Sequence, residues 1–84
     1  MNRSKVKSSN LNSIGYDEDK KELEVEFKGG RLYIYSAVPK EIYEALMQEQ
    51  ADVVAGKPEA SVGKAYLKLV KNTDYDFSKQ DYSI

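Results

Sequence analysis

Residues 22–35 read ELEVEFKGGRLYIY, and the fold depends on how this stretch is divided. Up to Lys28 the pattern alternates: Leu23, Val25 and Phe27 share one face of an extended chain, and Glu22, Glu24, Glu26 and Lys28 share the other. Gly29-Gly30 then interrupts it, and a glycine pair suits the positive φ values of a two-residue hairpin turn. Such a turn sets Phe27 opposite Leu32, Val25 opposite Ile34 and Leu23 opposite Ser36, gathering the aliphatic side chains on one face. Tyr33 and Tyr35 are thereby expected on the reverse face, opposite Glu26 and Glu24.

Upstream, residues 11–16 read as a further strand, joined to the hairpin through the acidic turn Asp17-Glu18-Asp19-Lys20. Leu11 and Ile14 are three apart, so both can point inward only if a bulge intervenes or the strand bends at Gly15. Downstream, Val38-Pro39 marks a helix start, because proline suits a first helical turn and disfavours helix in the residue before it. Ile42, Tyr43, Leu46, Met47, Val53 and Val54 follow at helical spacing, with Gly56 as C-terminal cap and Pro58 as a stop. Ser61 offers an N-cap for a second helix, with Val62, Tyr66, Leu69 and Val70 on one side and Lys64, Lys68 and Lys71 on another.

A sheet with one apolar face needs a cover, and two amphipathic helices supply it. The expected fold is α+β: a three-stranded antiparallel β-meander covered on one face by two α-helices, in the order β-β-β-α-α. Residues 1–8 are expected to form a flexible basic arm, residues 9–77 a single domain, and residues 78–84 a disordered tail. Tyr75 and Phe77 are the aromatics expected to dock back onto the body.

An 84-residue chain has room for one core. It carries no cysteine, which removes disulfides and thiolate zinc sites and makes the cytoplasm the default location. No apolar run approaches a membrane span, and the start MNRSKVKSSN lacks the apolar stretch of a secretory signal. The net charge of −1 conceals segregation: residues 17–28 hold six acids against three lysines, whereas Arg3, Lys5 and Lys7 stand without an acid among residues 1–10.

Without histidine or cysteine, the usual general base, thiol nucleophile and zinc ligands are missing, so neither catalysis nor a metal or other cofactor is expected. Glu22, Glu24 and Glu26 could in principle do paired-carboxylate chemistry, but on a wet strand face they read as solubilising residues. GKPEASVGKA, residues 56–65, resembles a phosphate loop only superficially. The two glycines are too far apart, Ala65 stands where a magnesium-binding hydroxyl belongs, and no strand precedes it. What remains is a helix start at Ser61, Gly63 and Lys64, with Lys68 and Lys71 following as a basic edge or as a solvated face. Tyr33 and Tyr35 read as local packing or cover by the C-terminal tail, as a recognition surface, or as base-stacking rings.

In the order Ser13-Ile14-Gly15-Tyr16, the Phe27 and glycines of the hairpin, Tyr33 and Tyr35, Val38-Pro39, Tyr43 and Ser61-x-Gly63, residues 8–71 resemble the KTSC domain. That module occurs alone in small bacterial and phage proteins and at the C-terminus of some lysyl-tRNA synthetases. The family carries no established activity, and its synthetase context implies RNA binding. The segment from Gln48 to Ala60 is longer than in a minimal member, and Leu67-Lys68 replaces a Phe-Asn-like pair.

The functional expectation is a non-catalytic binding module whose ligand- or partner-binding residues are Arg31, Tyr33, Tyr35, Ser61, Gly63, Lys64, Tyr66 and Lys68. In a phage or mobile-element setting its partner would be a host protein or a small nucleotide ligand, and a homo-oligomer is compatible with the sequence. The alternative is an RNA-binding domain that uses the basic arm, the lysine edge and tyrosine stacking.

Overall fold

The computed structural model describes residues 3–8, 10–73 and 75–81, the last three as backbone only. Five strands, β1 (Arg3–Lys5), β2 (Leu11–Asp17), β3 (Glu22–Phe27), β4 (Arg31–Tyr35) and β5 (Phe77–Asp81), form one antiparallel sheet in the order β1-β2-β3-β4-β5. Between β4 and β5 the chain forms α1 (Lys40–Val54) and α2 (Val62–Tyr66), which runs directly into a π-helical turn, Leu67–Lys71.

The sheet therefore has five strands where three were expected. Residues 3–5 of the expected arm pair with residues 13–15, and residues 77–81, assigned mostly to the tail, pair with 31–35. Each outer strand satisfies backbone groups along an edge of the central three, an outcome that local alternation does not encode. Residues 1 and 2 of the arm and 82–84 of the tail lie outside the described residues.

The bulge between Leu11 and Ser13 brings Leu11 and Ile14 into the core together, as their spacing required. In the β3–β4 hairpin the register differs from the expected one. Glu26 pairs with Leu32, Val25 with Tyr33, Glu24 with Ile34 and Leu23 with Tyr35. Gly29 and Gly30 both have positive φ, 101° and 92°, and the Gly30 N–H donates to the Phe27 carbonyl at 3.2 Å. The connection thus takes in Lys28 as well as the glycines. One added loop residue turns β4 over, so Tyr33 and Tyr35 join Leu23, Val25 and Phe27 on the helix-covered face. Leu32 and Ile34 lie on the reverse face with Glu24 and Glu26.

Pro39 stands at the start of α1 and Gly56 at its end. Gly56 has φ 83°; its N–H donates to Val53 and that of Lys57 to Asp52, the paired bonds of a Schellman cap. Leu46 is the fully buried side chain of α1, and Ile42, Tyr43, Met47 and Val53 pack against the same core, whereas Val54 is exposed. The Ser61 hydroxyl accepts from the Lys64 N–H at 3.2 Å and caps α2, which buries Val62 and Tyr66 against the sheet; Val70 does the same from the π turn. The Tyr16 hydroxyl donates to the Val38 carbonyl and its ring stacks on Tyr43 at 5.4 Å, tying β2 to the start of α1. Among the described residues no helix is long and apolar enough to cross a membrane.

Candidate functional site

Because β4 presents its tyrosines to the helical layer, and α2 covers that face only in part, a cleft of about 1340 Å³ opens between the β3–β4 hairpin, α2 and β5. Its floor is aromatic. Phe27 lies 5.2 Å from Tyr33 and 5.4 Å from Tyr66, and Tyr33 stacks on Phe77 at 5.5 Å with the ring planes 25° apart. The Tyr35 and Tyr66 hydroxyls hydrogen-bond to each other at the bottom, where both residues are buried. Burial raises the pKa of both phenols, and for Tyr66 the bond to Tyr35 adds to the rise. Phe77 is exposed, so its ring offers a free face.

The cations in the cleft are Lys7 from the segment after β1, Lys28 and Arg31 from the hairpin, Lys64 from α2 and Lys71 from the π turn. No described residue of the lining is acidic. In a chain of net charge −1 this is a strong segregation of sign.

The carboxylates expected beside the tyrosines occupy the reverse face of the sheet. Arg3 donates there to Glu24 Oε1 at 2.8 Å and to the Ser13 hydroxyl at 3.2 Å, while Ser13 and Asn12 both donate to Glu26 Oε1 at 2.8 Å. These bonds, that from Ser13 first, hold the Glu26 carboxyl below its ordinary range. Arg3 is thereby engaged away from the cleft. Of the basic arm, Lys7 is the cation that lines it, and its N–H is anchored to Gln50 on α1 at 2.7 Å.

Of the eight site residues expected from sequence, seven line this cleft: Arg31, Tyr33, Tyr35, Ser61, Gly63, Lys64 and Tyr66. Lys68 does not; Lys71 does. The Asn72 N–H bonds to the Leu67 carbonyl at 3.0 Å, five residues back, and this wider turn shifts the lysine row relative to a regular helix. Lys7 was expected at a surface only within the basic arm of the RNA alternative, and Lys28 at none, since both sit in connections whose direction depends on tertiary pairing. Phe77 was expected to dock onto the body from the tail, but the strand pairing that stacks it on Tyr33 was not expected. Among the described residues no group of carboxylates could hold a metal ion.

The family model for the KTSC domain matches residues 7–52, which span β2 to β4 and most of α1. The chain is 38% identical over 81 residues to an uncharacterized protein of Stutzerimonas stutzeri (strain A1501), covering 96% of this chain and all of that one. It is similar in structure to the KTSC domain protein of Yersinia pestis, whose crystal structure superposes with a TM-score of 0.74 at 29% identity, covering 94% of this chain and 96% of the other. The helix start at Ser61 lies beyond the family match, so the α2 wall of the cleft rests on the structure and the full-length relatives.

Proposed function

The chain belongs to the KTSC domain family, and from that premise we propose that it is a non-catalytic binding module that takes a nucleotide in the cleft between the β3–β4 hairpin and α2. The observation that carries this reading is the composition of one surface: an aromatic floor and five cations, with no acidic side chain among its described lining. A nucleotide combines a planar ring with an anion, and those two chemistries are the ones this lining recognises. The hairpin register supports it, because Glu24 and Glu26, which would have repelled phosphate from the tyrosines, lie behind the sheet. A cysteine-free chain fits a cytoplasmic setting for such a module.

The test is calorimetric titration of uridine and adenosine monophosphates into the wild type and into Tyr33→Ala, Phe77→Ala and Arg31→Ala. Loss of a stacking ring costs about 1–3 kcal/mol of binding. Affinity that is unchanged in all three folded variants removes the cleft from the function.

A second reading, a short single strand of RNA, is favoured by the size of the cleft and by the origin of its cations in four separate segments. The strand would track the lysines and stack on Phe77 and Tyr33. It predicts that affinity for an oligonucleotide falls steeply with salt, with a slope that shrinks when Lys64 and Lys71 are changed to alanine. No retention of RNA at low salt rejects it.

A further inference from the structure

The Tyr35–Tyr66 hydroxyl pair carries one more donor proton than its mutual bond uses. Tyr35 and Tyr66 are 4% and 3% exposed, and their hydroxyls bond to each other. Two phenols carry two hydroxyl protons, and the shared bond uses one. The other is not used by that bond. Burial pushes both phenols toward the neutral form, so both protons stay on. The rings beside the pair are apolar, Phe27 at 5.4 Å from Tyr66 and Phe77 at 5.5 Å from Tyr35, so the second proton is available to a ligand acceptor.

Tyr35 and Tyr66 are buried residues of the lining, while Arg31, Lys64 and Lys71 are exposed ones. A ligand that puts its anion among those cations and its ring on the aromatic floor therefore brings a ring edge, not its phosphate, to the hydroxyl pair. Resting on the nucleotide reading above, we propose that the Tyr35–Tyr66 hydroxyl pair is the specificity-determining donor of the cleft, giving its free proton to a carbonyl oxygen on the edge of the bound ring. A ring with an apolar edge in that position leaves the donor unpaired and is discriminated against.

The probes are 4-acetylphenyl phosphate and 4-isopropylphenyl phosphate, which match in size and differ in the ring-edge carbonyl, with uridine monophosphate as the reference nucleotide. The proteins are the wild type and Tyr35→Phe/Tyr66→Phe, which keeps both rings. The wild type is expected to prefer the acetyl probe by about two- to tenfold, the range of one hydrogen bond, and the double variant to lose that preference. A merely structural role would weaken both probes equally and leave their ratio unchanged. Equal binding by the wild type, or a preference that persists in the folded double variant, overturns the proposal. The nucleotide reading then still stands if uridine monophosphate binds and Tyr33→Ala weakens it. If none of the three ligands binds the wild type, both fall together. Should the double variant fail to fold, the wild-type preference decides alone.

Discussion

Val25 and Tyr33 stand directly opposite each other in the β3–β4 ladder, a buried aliphatic facing a ring that lines the cleft. That pairing depends on a connection in which two consecutive glycines hold positive φ. A Cβ at either glycine meets no atom within 4 Å, so a substitution there acts through the backbone alone. Gly29→Ala and Gly30→Ala are each expected to cost about 1–2 kcal/mol in denaturant unfolding.

Ala37 has φ 56° and precedes Val38, whose N–H donates to the carbonyl of Lys21, itself at φ 55°. An L-residue with a Cβ is strained in this region by about 1–2 kcal/mol, while glycine adds unfolded-state entropy of about 0.5–1 kcal/mol. The relief exceeds the penalty. Ala37→Gly is therefore expected to raise stability by up to about 1 kcal/mol, read as a higher denaturation midpoint at unchanged slope.

Glu26 links stability to acid. Its carboxyl is held below the ordinary 4.5 by the bonds from Ser13 and then Asn12, with Arg3 adding to them. In the window below 4.5 the unfolded chain binds more protons than the folded one. The stabilisation is thus present above that pH and is lost as pH falls through the folded-state value. Thermal melts across this window are expected to show a shallower acid limb for Glu26→Gln than for the wild type, and equal limbs would contradict the assignment.

At the alkaline end the sign reverses in form. Tyr35 and Tyr66 have folded-state values above the ordinary 10.0, so their contribution is complete below that pH and declines as pH rises above it. A titration of phenolate absorbance is expected to lose a component above the ordinary 10.0 when both rings are replaced by phenylalanine. Tyr35→Phe/Tyr66→Phe is expected to flatten the loss of stability above pH 10.0.

The parts of the fold legible in the sequence are those that neighbouring residues decide. Alternation marked β3 and β4, and the three-residue spacing of Leu11 and Ile14 required the bulge that the structure places there. Pro39, Gly56 and Ser61 bounded the helices through cap geometry confined to one turn. Most of the candidate site was legible too, because arginine, lysine and tyrosine were flagged by type; which of them meet was not.

By itself the sequence determined the α+β class, the central strands, the helix limits and a list of residues equipped to bind a ligand. The tertiary structure alone decided the loop length at Gly29-Gly30, the face on which Tyr33 and Tyr35 lie, the two edge strands and the cleft. Glycine pairs tolerate both two-residue and longer turns, so local chemistry leaves the register open. Packing then selects the register in which Tyr35 reaches Tyr66 beneath α2, and in which Glu24 and Glu26 meet Arg3 behind the sheet. Edge strands likewise form between residues distant in sequence, and their pairing is set by the exposed edges that the rest of the fold presents.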